Sequence, residues 1–383
     1  MSSERARTVL WTAVVGGLAA SLWLQTPQRS AQAMPNFAQA LGVDCSTCHT
    51  QVPQLNSYGR YVQRSMYAVL DAKTIERVVP GFFEVIPFYD SQDPSFPHQV
   101  QLGNMDVHAD GGIGADVTFH GQLWAYQNNA PGGLDTLWAS LNHIGNADTH
   151  FVVGKMPVPG PSFFSQWADL STFAGPEITV GEHAQQLDAN RWGAKFSYTP
   201  SKYVAEIGWY GSNADLNGAT DYSSDTDKTV QWRVAAAQPN KPLEYGVYGN
   251  VGSYPLAEGG VDHYSATGLY LQVDPTKHFP GALALYQFGN DGNSGGGLAA
   301  HSTAESVEFY WPPFKGKEIL VGVREDITND GLGNVTHSGN LDLNFRIVKY
   351  VHATFEAGVA NGDTPAWRGQ ILWSQPFGQP PKN

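Results

Sequence analysis

From Phe82 to Phe377 apolar and polar residues alternate with a period of two, in short runs separated by turn-forming residues. Leu341-Asp342-Leu343-Asn344-Phe345-Arg346-Ile347 is strictly apolar then polar, and Ala115-Asp116-Val117-Thr118-Phe119-His120-Gly121-Gln122-Leu123 follows the same rule. Such a period puts all the apolar side chains on one face of a strand, which a helix cannot do. Similar runs recur at 190–199, 202–211, 244–254, 263–274, 303–311, 317–326 and 350–360. About sixteen strands are predicted, an even number that suits a bacterial outer-membrane barrel. Ahead of them the period changes. Residues 55–70 (LNSYGRYVQRSMYAVL) carry Leu55, Tyr58, Val62, Met66 and Val69 at helical spacing, and a second short helix is predicted from Pro35 to Leu41.

The connections sharpen the picture. With the first strand running outward from near Phe82, every second connection is long: 157–189, 212–228, 254–262, 290–302, 326–338 and 360–366. Most intervening ones are short, as at Thr199–Lys202 and Val348–Tyr350. Long loops on one side and short turns on the other are the mark of a transmembrane barrel. A soluble β-sandwich is the competing architecture and has no reason to alternate in this way. The expected organisation is a small helical unit over 34–80, a barrel over 81–377 and a tail over 378–383. A unit of about 45 residues buries too little surface to be stable alone, so it needs a bound group or a neighbouring domain as part of its core.

Composition agrees with a mainly β, aromatic-rich chain: charged residues are 15%, aromatics 12%, and glycines number 42 of 383. Residues 1–33 read as an export signal. Arg5 and Arg7 precede an apolar run over 8–24, and Ala31-Gln32-Ala33 has the small-x-small cleavage pattern. An uncleaved anchor is the alternative for this segment. The full chain carries a net charge of -13, and loss of Arg5, Arg7, Arg29 and Glu4 leaves the mature chain at -15, which argues against nucleic-acid binding. Acidic residues concentrate in the predicted long loops (Asp169, Glu177, Glu182, Asp188, Asp215, Asp221, Asp225, Asp227, Asp291, Asp330), and lysines in the predicted turns. An acidic outer face attracts cations. It would serve equally as a solvated, solubilising surface.

The chain has two cysteines, and both fall in Cys45-Ser46-Thr47-Cys48-His49. This spacing is that of a c-type haem attachment site, with two thiols for the vinyl groups and a histidine placed to ligate the iron. A thioredoxin-like pair would need a βαβ context, and a structural zinc site two further soft ligands. One haem c is therefore the predicted cofactor.

Around that motif, Met34-Pro35-Asn36-Phe37-Ala38, Gly42, Pro53, Leu55 and Tyr58-Gly59 complete a pattern of roughly 35 residues that resembles the fused monohaem cytochrome-porins of bacterial outer membranes. The resemblance implies a haem unit plugging the barrel that follows it. It also implies extracellular Fe(II) oxidation, the activity of the best-known members, and hence a possible Fe(II):cytochrome c oxidoreductase. Two positions depart from the family pattern. Met66 stands before Tyr67 where a glycine is common, and Phe377 is followed by Gly-Gln-Pro-Pro-Lys-Asn where such barrels tend to end on an aromatic residue.

The other axial ligand is open between Met66 in the helical unit and His120 or His352, which lie on the polar, lumen-facing phase of their strands. Residues 157–188 contain no Lys or Arg and correspond to the third outer loop, which could fold into the pore. Its Glu177, Glu182, His183 and Asp188 are hard or borderline donors suited to a transient Fe(II) approach site. The expected partners are extracellular Fe(II) or another donor, a periplasmic cytochrome or other carrier, and outer-membrane lipid. The rival expectations are a non-iron or outward electron conduit and a passive porin with a cytochrome plug.

Overall fold

The computed structural model describes residues 35–377 apart from 53, 71–80, 93–98, 114–115, 128–129, 163–176, 181–182, 187–189, 212–227, 256–259, 277–278, 295–297, 313–318, 349 and 362–364. The predicted signal 1–33 and tail 378–383 lie outside the described residues.

The period-two runs become sixteen antiparallel strands: β1 (Phe82–Asp90), β2 (Val100–Ile113), β3 (Val117–Gln127), β4 (Leu134–Leu141), β5 (Thr149–Pro157), β6 (Asn190–Tyr198), β7 (Tyr203–Tyr210) and β8 (Lys228–Ala237), followed by β9 (Leu243–Pro255), β10 (Val261–Val273), β11 (Gly281–Ser294), β12 (Leu298–Trp311), β13 (Ile319–Asn329), β14 (Val335–Val348), β15 (Val351–Ala360) and β16 (Ala366–Pro376). Each pairs with the next, and β16 pairs with β1, so the sheet closes and leaves no edge. Phe377 extends the closure, its N–H donating to Gly81 O at 3.0 Å.

Burial is inverted relative to a soluble sandwich. In β14, Leu341 and Ile347 are exposed while Asp342, Asn344 and Arg346 between them are buried. β10 does the same, with Leu269 and Leu271 outward and Tyr270 and Gln272 inward. An apolar outer band around a polar interior fits lipid outside and a filled lumen inside. Exposed Tyr198, Tyr203, Tyr245 and Trp311 ring the short-turn end, as an interfacial aromatic girdle does. Inside, the Tyr248 ring covers Gly268, where a Cβ would approach it to 2.3 Å. Only glycine leaves room for that ring.

The predicted alternation of connections holds at two places, 158–189 and 211–227. The long loops expected at 254–262, 326–338 and 360–366 shrink to 256–260, 330–334 and 361–365, no longer than the opposite turns at 238–242 and 274–280. At 290–302 the expected long loop is instead a hairpin: β11 and β12 run on to Ser294 and Leu298, and Asp291 is buried in the ladder. Backbone pairing continues past the last lipid-facing residues because each added pair satisfies two more polar groups, and a hydropathy pattern does not register this.

The first helix appears as predicted, α1 at Pro35–Leu41. The second, expected over 55–70, is shorter: α2 spans Ser57–Arg64, Leu55 belongs to a strand pair, and Met66 and Tyr67, at φ of 52° and 65°, end the helical path. Both helices lie within the barrel. Phe37, Val62, Met66, Tyr67 and Leu70 pack with the wall residues Trp138, Val152, Met156 and Tyr210 in one cluster, so the wall completes a core the segment could not build alone. Polar anchors add to it. Arg60 reaches Asp274 at 2.7 Å and Glu244 at 3.3 Å, Arg64 reaches Glu244 at 3.4 Å, and Ser57 N donates to Asp274 at 2.7 Å.

Candidate haem site inside the barrel

Cys45–Thr47 is a single 3-10 turn, closed by Cys48 N donating to Cys45 O at 3.0 Å. Asn56 ties this turn to α2. Its Nδ2 donates to Ser46 O and Thr47 O at 3.2 Å each, while its Oδ1 caps the helix by accepting from Gly59 N at 2.9 Å. This double role was missed from sequence, although an asparagine just before a helical run is a legible cap signal. Gly59 lies against the motif itself: a Cβ there would sit 2.0 Å from Cys48 O. That contact gives the glycine of the Tyr58-Gly59 pair its physical reason. Gly59→Ala is expected to displace the Cys48 carbonyl and lower the yield of haem-stained protein several-fold, while the barrel still shows its folded, heat-modifiable band on gels. An unchanged haem yield would contradict this account of the contact.

Cys45 and Cys48 are not joined in a disulfide; Cys45 is buried and Cys48 partly so. Burial pushes the Cys48 thiol up to about 11, so at neutral pH it stays un-ionised. His49 is 8% exposed and begins a short strand pair, His49–Gln51 with Gln54–Leu55. Gln51 Nε2 donates to Asn344 Oδ1 of β14 at 3.0 Å, which fixes the motif against the inner wall.

The structure separates the three candidates for the other axial position. His352, near the start of β15, is 2% exposed, and neither ring nitrogen has a hydrogen-bond partner. The charges acting on it are those of Arg346 and His49, so the two histidines are within Coulombic reach of each other. Met66 is instead packed with Phe37, Val62, Tyr67 and Leu70, in a cluster separate from that of Ala38, Cys45 and Val52. Its backbone has φ of 52°, the left-handed region glycine prefers, which accounts for the glycine common at this position. His120 is occupied by the Asp110 carboxylate and faces Tyr67, Trp138 and His108.

Of the loop donors, Glu182 and Asp188 lie outside the described residues. Glu177 and His183 fall on a hairpin (Glu177–Val180 with His183–Gln186) packed against the inside of β10–β13, so the third loop does fold inward. Gly160 O and Ser162 O of the same loop accept from Arg233 of β8 and Gln272 of β10. The register pairs Glu177 with Gln186 and His183 with Val180, at opposite ends of the hairpin and about 10 Å apart along it. The structure does not bring these two together as one site.

A closed sixteen-strand barrel with a polar interior and an inward-folded third loop has the fold of the bacterial outer-membrane porins. Solved structures agree. The chain is similar to the anion-selective porin of Comamonas acidovorans (TM-score 0.54, 12% identity, 78% of this chain and 98% of that one). It is likewise similar to a loop L8 deletion mutant of OmpT, an outer membrane protein of Vibrio cholerae (0.53, 11%, 77% and 97%), and to the outer membrane channel DcaP of Acinetobacter baumannii (0.50, 9%, 78% and 96%). No family model and no curated protein matches the sequence.

Proposed function

We propose that this chain transfers electrons at the bacterial outer membrane through one haem c held by Cys45, Cys48 and His49, with extracellular Fe(II) as donor and a periplasmic cytochrome or other carrier as acceptor. The observation that carries the reading is the Cys-x-x-Cys-His turn pinned by Gln51 to Asn344 on the inner wall of a closed barrel, beside a buried histidine with two idle ring nitrogens. When bound, such a haem supplies a one-electron iron couple whose potential follows its axial ligands, hydrogen bonds and burial.

The residues of the chain do the rest. Cys45 and Cys48 would tether the ring and His49 would ligate the iron. His352 would be the second ligand, because a buried imidazole without a partner costs free energy that ligation would recover, whereas the Met66 thioether fills a core and His120 is held by Asp110. Two histidines set a lower potential than histidine with methionine. The burial of the Cys48 thiol favours attachment before the helices dock in the barrel. The inward loop narrows the outer approach and favours a small ion over a bulky donor, with Glu177 and His183 at opposite ends of its hairpin rather than in one chelate.

Outer-membrane fractions carrying the protein, given anaerobic Fe(II), should show reduced haem bands. His352→Ala should replace a low-spin, six-coordinate spectrum with a high-spin one. Haem that stays oxidised with Fe(II) would overturn iron oxidation, and an unchanged His352→Ala spectrum would overturn the ligand assignment. The porin fold supports a second reading, a passive channel whose lumen the helices fill. It predicts solute uptake that is indifferent to His49→Ala.

A further inference from the structure

Beside the helical segment, the inner wall carries a second group of donors that takes no part in the haem site. Glu84 of β1 and Asp106 of β2 are ladder partners, and His108 lies two residues further along the same inward face of β2. All three are buried, at 8%, 2% and 8% exposure, and their donor atoms lie within 4.8 Å of one another. His108 Nε2 is 3.4 Å from Asp106 Oδ1 and 3.7 Å from Glu84 Oε2. These separations exceed a charge-assisted hydrogen bond. They approach the edge of a coordination polyhedron, about 3–3.5 Å for ligands near 2.1 Å from a metal. Neither nitrogen of His108, nor Asp106 Oδ1, has a hydrogen-bond partner.

The surroundings hold this geometry in place. Phe82 stacks on the His108 ring at 4.1 Å and 9°, which sets its plane. Gln122 Nε2 donates to Asp106 Oδ2 at 2.8 Å and leaves Oδ1 directed elsewhere, the usual task of an outer-shell partner. Among the described residues His108 is the only ion-pair partner of Glu84 and Asp106. A dication with neutral His108 balances both carboxylates.

We propose that Glu84, Asp106 and His108 form a binding site for a divalent first-row transition metal of the Fe(II) or Mn(II) class, with water in the remaining positions. Two carboxylate oxygens and one imidazole nitrogen are the mixed donor set those ions accept. Glu84 lies two strands from His352 around the wall, β15 to β1 across β16, or about 10 Å across the sheet. The site would therefore hold an Fe(II) donor beside the haem, a role that rests on the electron-transfer reading, although the binding itself does not.

The test is titration of chelator-treated, full-length protein in detergent with Mn(II), following free Mn(II) by its EPR signal. One tight equivalent is expected, weakened at least tenfold by Asp106→Asn and by Glu84→Gln, and retained in an Asp330→Asn variant that removes a loop acid. A heat-modifiability gel establishes that each variant is folded, and His108→Gln serves if either carboxylate variant is not. Repeating the titration with Cys45→Ser/Cys48→Ser protein separates the two ideas, since the metal site should persist without haem. No stoichiometric Mn(II), or folded variants binding as tightly as the unaltered chain, would leave the cluster an internal ion pair and overturn the proposal.

Discussion

Replacing Cys45 and Cys48 together with serine is expected to abolish haem stain on the polypeptide entirely while the barrel still assembles. The all-or-none size follows from chemistry, because serine hydroxyls do not form the thioethers and these are the chain's only two thiols. Barrel survival follows from architecture. The sixteen strands satisfy their backbone groups through their own ladders, from the β1–β2 pair to the β16–β1 closure, and none of those pairs involves the helical segment. Haem staining and heat modifiability on the same gel provide the check. Covalent haem persisting in the double variant would remove the motif from the mechanism. A barrel that failed to fold would show that the plug and its haem are needed for assembly.

The second large effect is expected at Glu244. Its carboxylate accepts from Tyr270 OH at 2.8 Å, pairs with Arg60 and Arg64 of α2 at 3.3 and 3.4 Å, and lies 4.0 Å from Arg233. These side chains are nearly all buried, so removing the negative charge leaves guanidinium groups in a poor dielectric with too few acceptors. Breaking a buried pair in this manner costs about 3–5 kcal/mol. Arg60 keeps Asp274 at 2.7 Å, so the lower end of that range applies to Glu244→Gln. A loss of about 3 kcal/mol shifts the docked-to-released ratio of the helices roughly a hundredfold. Planar-bilayer recordings should then show larger or more frequent openings than the parent protein, and residues 35–70 should become protease-sensitive. Unchanged conductance together with unchanged protease resistance would mean that the apolar cluster around Phe37, Tyr67 and Trp138 holds the plug unaided.

Much of this was legible in the chain because the signals are local. A two-residue period depends only on neighbouring side chains, so β14 and the polar phase carrying His120 and His352 could be read directly. So could a helix within 55–70, though not its end at Arg64, which the left-handed backbone of Met66 and Tyr67 sets. Strand ends were read less well, as at Ser294–Leu298, because ladders extend where hydropathy has already faded.

What the sequence by itself determined is therefore the class of most segments and the inward or outward phase of each strand, together with the Cys45–His49 spacing on which the haem proposal rests. Only the tertiary structure decided which residues meet. Arg60 finds Glu244 and Asp274 across some two hundred residues of chain, and Gln51 brings the Cys45–His49 turn to β14 beside His352 rather than beside Met66. Glu84, Asp106 and His108 become one cluster through the β1–β2 register alone. The reason is physical: local patterns follow from backbone geometry over a few residues, whereas contacts across the lumen depend on barrel closure and on how one segment packs inside it.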